Sequence, residues 1–326
     1  MLRKKLKLDE TSLDASEACA PFGGFSLSQF ANVPKAKINV HTVPAETATD
    51  ESNRAESDTE KLPARCPNVV PFWQQVYHIE QELSAALRKV ALPSEVAACY
   101  DPIEYASEIH CAYLQRFLDG PKSVLFVGMN PGPWGMCQTG VPFGYVPAVR
   151  DWMGLRGTVV KPTPELAARP VDGLACTREE QSGKRWWGLY EELCGTSDRF
   201  FRSCFVYNLC PLAFFHQTGR NITPSELKGK AKGEIQSISE QYLAKALTLL
   251  RPKIVISVGR YTEDRVKTLT KQNKIDPTVV TYCMPHPSPR SLNNTNWSEK
   301  AKHWLTEHGI LPYLIPPKVE EYSIKI

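Results

Sequence analysis

Three stretches of the chain carry apolar residues one after another instead of in alternation: VLFV at 124–127, CFVY at 204–207 and IVISV at 254–258. An uninterrupted apolar run of strand length fits a strand covered on both faces, as in a parallel sheet. A fourth run, TVVTYC at 278–283, is strand-like through its β-branched residues. Helical spacing separates these runs. Phe72, Val76, Ile79, Leu83 and Leu87 recur at three- and four-residue intervals, as do Tyr105, Ile109, Tyr113, Leu114 and Phe117, with Pro93 between the two sets. Residues 224–250 read as one long helix ended by Pro252, with Ile235, Ile238, Tyr242, Ala246 and Leu249 on its apolar stripe. Another helix begins at Trp186-Trp187-Gly188-Leu189-Tyr190, whose aromatics read as core, and a last one spans about 297–307. This order predicts a three-layer α/β fold, with a short four-stranded parallel sheet and helices on both faces. No internal repeat is visible.

The loops after the strands hold the candidate chemistry. Gly128 ends the first run, and NPGPWGMCQTGVPFG follows at 130–144. Its prolines and glycines neither extend a strand nor start a helix without a turn. The second run passes into Asn208-Leu209-Cys210-Pro211, and the fourth into MPHPSPRS at 284–291, where His286 sits between prolines four residues before Arg290. Open α/β sheets place ligands at the carboxyl ends of their strands. Asn130, Asn208 and His286, with Phe143 on the first loop, are therefore delivered toward one end of the sheet.

The segments GMNPGPWGM, QTGVPFG, NLCPL and HPSPR, in that order, resemble the single-strand-selective monofunctional branch of the uracil-DNA glycosylase superfamily. The resemblance covers roughly residues 70–315. Any one motif alone is a weak signal; four in order, each after a strand, are specific. Classical uracil-DNA glycosylases share HPSP but carry aspartate in the first motif. The mismatch-specific thymine/uracil branch shares Asn-Pro-Gly but usually lacks the histidine, so Asn130 together with His286 selects the branch named.

That resemblance implies roles for individual residues. Asn130 corresponds to the residue that positions the attacking water. An amide takes up no proton at neutral pH, so Asn130 can only orient that water. The glycosidic bond must then be largely broken before water arrives, and no carboxylate pair of the ordinary glycosidase type is identifiable. His286 corresponds to the donor that stabilises the departing uracil anion at O2; a pre-positioned donor of this kind contributes about 2.7–4 kcal/mol. Substrate contacts are implied at Met129, Gly132, Met136, Phe143 and Asn208. Phe143 stacks beneath the base, Asn208 reads its edge, and Gly132 and Met136 line the space around the pyrimidine 5-position. Trp134 stands where phenylalanine is more usual. Pro287, Ser288, Pro289 and Arg290 correspond to the DNA-binding loop, with Arg290 entering the helix in place of the extruded base and proline stiffness suiting a wedge. Ser288 and the turn at 257–260 are candidate phosphate contacts, and Lys184 and Arg185 either meet phosphate or are solvated. No lysine lies within the motifs, so a Schiff-base lyase step has no visible nucleophile.

Composition narrows the reading. With 42% apolar residues the 326-residue chain can build a large core, and no run approaches a membrane-spanning length. The basic start, Met1-Leu2-Arg3-Lys4-Lys5-Leu6-Lys7, is not followed by an apolar segment, so no secretory signal is expected. The 10 cysteines include no Cys-x-x-Cys pair, which speaks against an iron–sulfur or zinc site, and a reduced intracellular protein is expected. Residues 1–70 hold 9 Lys+Arg and 10 Asp+Glu, leaving 30 against 25 in the remainder, a net of +5. That modest excess suits a protein that touches a few phosphates.

Residues 1–65 are polar, without periodicity, and are expected to be a disordered extension; 66–318 form the catalytic domain and 319–326 a tail. The irregular stretch 145–183, with Arg150, Arg156, Lys161 and Arg169, is long enough to be functional. The resemblance implies a nuclear, monomeric, cofactor-free base excision repair enzyme acting on uracil, and on 5-hydroxymethyluracil and related oxidised pyrimidines, in single- and double-stranded DNA, with no membrane partner. A non-catalytic binder of damaged or single-stranded DNA, and a mismatch-directed thymine/uracil glycosylase, are the competing readings.

Overall fold

A computed structural model describes residues 70–291 and 294–315. The expected N-terminal extension, its basic cluster at 3–7 and the tail at 319–326 lie outside the described residues. In chain order the elements begin with the helix Phe72–Leu87 (α1), the strand Ala98–Tyr100 (β1), the helical turn Pro102–Tyr105 (α2), the helix Ser107–Phe117 (α3) and the strand Val124–Gly128 (β2). Then come Met136–Thr139 (α4), Gln181–Cys194 (α5) and Ser197–Ser203 (α6), followed by the strands Cys204–Asn208 (β3), Ala213–Phe215 (β4) and Asn221–Ile222 (β5). Gly229–Leu250 (α7), Ile254–Val258 (β6), Arg260–Lys271 (α8), Val280–Met284 (β7), Trp297–Glu307 (α9) and Leu311–Leu314 (α10) complete the set.

The four expected strands form one parallel sheet in the order β3-β2-β6-β7. Every residue of β2, β3 and β6 is buried, and since successive side chains point to opposite faces, both faces are covered. On one face Phe126 meets Trp186, Tyr190 and Phe200 of α5 and α6, with ring centroids 5.3, 5.6 and 6.0 Å apart. On the other, Phe205 stacks on Tyr113 of α3 at 5.0 Å. Each such buried ring contributes about 1.5–3 kcal/mol through the apolar surface it removes from water. The aromatics of α5 are core, as their spacing indicates. β3 and β7 are the edge strands; β3 is buried throughout, whereas the first residues of β7 are exposed.

Three local differences from the sequence reading have visible causes. The helix expected from 224 starts at Gly229, because Glu226 accepts from both the N–H and the hydroxyl of Thr223 in a separate turn. The helical pattern around Tyr105 is split into α2 and α3, because the Tyr105 carbonyl accepts from the Val160 N–H and leaves the helix ladder. A second sheet, antiparallel in the order β1-β4-β5, has no counterpart in the sequence reading. Its strands of two or three residues are too short to show a period.

Candidate active site

Strand register assembles the site. Gly128 on β2 lies opposite Asn208 on β3, and the pairing continues past the strand ends through Leu209 N–H to Gly128 O and Cys210 N–H to Met129 O, both 2.9 Å. Asn130 and Asn208 are thus carried on adjacent strands. His286 starts two strands away on β7, about 10 Å from β2 at ordinary strand spacing. It reaches the centre by folding over Gly259, where a Cβ would stand 3.4 Å from the histidine Cβ and where φ is +92°. Met129, Asn130, Phe143, Asn208, His286 and Arg290 all line one cleft of about 660 Å³, together with Gly132, Met136, Ser288 and Pro289. Pro287 is absent from the lining and is buried.

Phe143 forms a fixed aromatic floor. Its ring stacks on fully buried Trp186 at 4.7 Å and 13° and stands 5.8 Å from the His286 ring. Its backbone adopts φ +54°, which costs a non-glycine residue about 1–2 kcal/mol. The aromatic stack, worth about 0.5–1.5 kcal/mol, offsets much of that. Asn208 is 7% exposed, with Nδ2 3.1 Å from the Met136 sulfur. Its Oδ1 occupies the space a side chain at Gly128 would take, 2.4 Å from the position of a Cβ. Only glycine there lets the amide and the Phe143 ring approach β2.

Asn130 is half-buried, with Nδ2 3.4 Å from the Pro131 carbonyl and 3.5 Å from that of Leu212. Two carbonyl acceptors fix the amino group on that side, so Oδ1 is the free acceptor; none of the described residues donates to it. A water held there would receive no proton-accepting help beyond orientation.

The His286 ring is set by its own loop. The Ser288 N–H donates to Nδ1 at 3.1 Å, so the neutral ring carries its proton on Nε2. Burial pushes its pKa down to about 4. His286 is therefore an uncharged N–H donor at neutral pH. The loop is clamped from behind: Asn294 Nδ2 donates to the carbonyls of His286 and Ser288 (2.9 and 2.7 Å), and Trp297 Nε1 donates to Pro285 O at 2.8 Å. Arg185 donates to the carbonyls of Pro287 and Asn294. Arg185 thus positions the loop, whereas Lys184 pairs with Glu179. Pro289 and Arg290 are left exposed at the tip.

A pH profile checks the His286 tautomer. Because its pKa is depressed, the neutral donor persists from alkaline pH down to about 4, and single-turnover base release should show no histidine step between pH 5 and 8. A loss of rate centred near 6.5, absent from a His286→Gln variant, would contradict the assignment.

The structure adds residues that the motifs do not contain. Glu180 lines the cleft, and its Oε2 accepts from the Trp134 N–H at 3.3 Å. Its carboxylate fills the space over Gly132, where a Cβ would be 2.5 Å from Oε2. Burial pushes its pKa up. Behind the same loop, His110 Nδ1 and Nε2 lie 2.7 Å from the Gly140 carbonyl and 2.8 Å from Glu80 Oε2, in full burial. Burial acts to lower the His110 pKa, but the Glu80 carboxylate and the two hydrogen bonds outweigh it, and the net shift is upward. Ser257, expected as a phosphate contact, is 1% exposed and its hydroxyl is enclosed without a partner, so it cannot reach a phosphate from there. Among the described residues no His, Cys, Asp and Glu cluster could hold a metal, and the described cysteines are unpaired, most of them buried.

The cleft lies at the carboxyl end of the parallel sheet, where open α/β sheets bind their ligands. The Uracil DNA glycosylase superfamily matches residues 116–307. Single-strand selective monofunctional uracil DNA glycosylases of Mus musculus and Bos taurus are each 46% identical over 236 residues, 72% of this chain and 84% and 86% of theirs. That of Rattus norvegicus is 45% identical over the same length. The crystal structure of Pedobacter heparinus SMUG2 shares the fold, with a TM-score of 0.55 at 17% identity, covering 73% of this chain and 98% of that one. The chain belongs to the uracil-DNA glycosylase superfamily, and within it to the single-strand-selective monofunctional branch.

Proposed function

We propose that this protein extrudes uracil from DNA and hydrolyses its glycosidic bond, leaving an abasic site in an uncut strand. The observation that carries the reading is the convergence of Asn130, Phe143, Asn208 and His286 on one cleft. A base lying on Phe143 turns one edge to Asn208, whose amide can accept from N3–H and donate to O4; cytosine presents the opposite pattern. The N1–C1′ bond breaks with its electron pair going to the base, and His286 Nε2–H donates to O2 as that charge develops. Water held by Asn130 Oδ1 adds to C1′ and releases its proton to solvent. No residue of the cleft supplies an amine for lyase chemistry. The substrate set is extended to 5-hydroxymethyluracil on the resemblance of the loop carrying Gly132 and Met136 to that of the single-strand-selective branch; the space over Gly132 is held by the Glu180 carboxylate.

Matched oligonucleotides carrying uracil or 5-hydroxymethyluracil, with the released base and the remaining strand identified by mass spectrometry, test this. Free base and an uncut abasic strand are expected; tight binding without release would make the protein a binder of damaged DNA instead.

Extrusion from a duplex costs a few kcal/mol more than from a single strand. Arg290, exposed at the tip of the clamped loop, fills the vacated stack. Arg290→Ala should therefore slow uracil release from duplexes severalfold more than from single strands in single-turnover assays. Equal slowing on both substrates would reduce Arg290 to a phosphate contact.

A further inference from the structure

Five arginines of the described residues, Arg88, Arg116, Arg150, Arg220 and Arg265, each pair with a carboxylate. Two further arginines meet at one indole of the cleft wall. Arg169 and Arg178 both stand over the Trp134 ring, at 5.0 and 4.4 Å from its centroid, and neither forms an ion pair with a described carboxylate. Exposed Arg290 lines the same cleft, also unpaired. Arg169 is half-buried, and its Nε is enclosed without any hydrogen-bond acceptor. Burial, and then the like charges of Arg178 and Arg290, push its pKa down. The Glu180 carboxylate acts on both Arg169 and Arg290, and its Oε2 accepts from the Trp134 N–H. Like charges gathered around a desolvated donor are unfavourable unless an anion arrives.

The backbone that presents Arg169 is built rather than loose. Tyr100 OH donates to the Arg169 carbonyl at 2.9 Å and accepts from the Leu166 N–H at 2.7 Å. Gln138 spans the segment, donating to Pro170 O and accepting from the Asp172 N–H. Glu165 Oε1 accepts from the Val171 N–H at 2.8 Å. These bonds hold an irregular stretch in one conformation while leaving its guanidinium open to the cleft.

We propose that Arg169 and Arg178, braced on Trp134, form an anion site for a backbone phosphate of the strand that carries the target nucleotide. The planar guanidiniums match phosphate oxygens, and stacking on an indole fixes their planes before the ligand arrives. The site rests on the DNA-processing reading above, but it is measured through binding and not through catalysis.

The probe is a single-stranded oligonucleotide containing a tetrahydrofuran abasic analogue, with its Kd followed by fluorescence anisotropy across NaCl concentrations. For a single strand, removing one arginine–phosphate interaction should reduce the slope of log K against log salt by about 0.7. Arg178→Gln, at an exposed position, and Arg169→Gln should each lower it by about that amount. Arg169→Lys and Arg178→Lys should restore the parent slope, which separates charge from packing. Weaker binding with an unchanged slope in both glutamine variants would overturn the site and leave Trp134 as a packing centre. A reduced slope in a chain that releases no uracil would keep the phosphate site while refuting the glycosylase reading.

Discussion

His286→Ala is expected to slow uracil release by about 100- to 1000-fold, the scale of removing one donor to a developing anion. The geometry makes that donor unusually fixed: Ser288 N–H occupies Nδ1, burial keeps the ring neutral, and Asn294, Trp297 and Arg185 hold the loop carbonyls. Asn130→Ala should cost roughly 10- to 1000-fold, since it removes only the orientation of a water. Neither change should alter affinity for abasic DNA much, because both side chains act on the reacting bond. Single-turnover rates on a uracil oligonucleotide, with binding measured beside them, check this. Parental rates in both variants would remove these residues from the chemistry.

The second large effect is on stability. His110→Leu leaves the Glu80 carboxylate buried without its partner and frees the Gly140 carbonyl, and should destabilise the fold by about 3–5 kcal/mol. Its pKa is raised in the folded state, so its contribution is fully present below the ordinary imidazole value of about 6.5 and declines as pH rises through the folded value. Asp101, the other acid acting on it, adds in the same direction. The difference between variant and parent in urea denaturation should accordingly be largest at acidic to neutral pH. Removing the acid too, in Glu80→Leu/His110→Leu, should recover a good part of the stability. A single variant within about 1 kcal/mol of the parent would show that this pair does not anchor the loop.

How far the sequence reveals this molecule depends on the length of each signal. β2, β3 and β6 are legible because both of their faces are buried, which writes a continuous apolar run into each. The loops after β2, β3 and β7 are legible because their prolines and glycines mark the strand ends. The sheet β1-β4-β5 is not, since two or three residues carry no period, yet it adjoins Leu212, whose carbonyl helps orient Asn130. Glu180 and Arg169 lie in the irregular stretch before and at the start of α5, where neither periodicity nor turn chemistry singles out a residue. Arg185 is ambiguous in sequence between phosphate and solvent, and the structure gives it a third role, because its partners are backbone carbonyls from a loop about a hundred residues away. A side chain's bond to backbone carbonyls of a distant segment leaves no trace in the residue types of that segment.

One cleft both reads and releases the base. A crystal structure of the full chain with free uracil and an abasic-site oligonucleotide tests it most directly. Uracil should lie flat on Phe143, with Asn208 at its N3–O4 edge, His286 Nε2 within hydrogen-bond distance of O2, and Asn130 facing the sugar. Uracil bound elsewhere, or an Asn130 side chain engaged with the base while His286 points away from O2, would contradict the account.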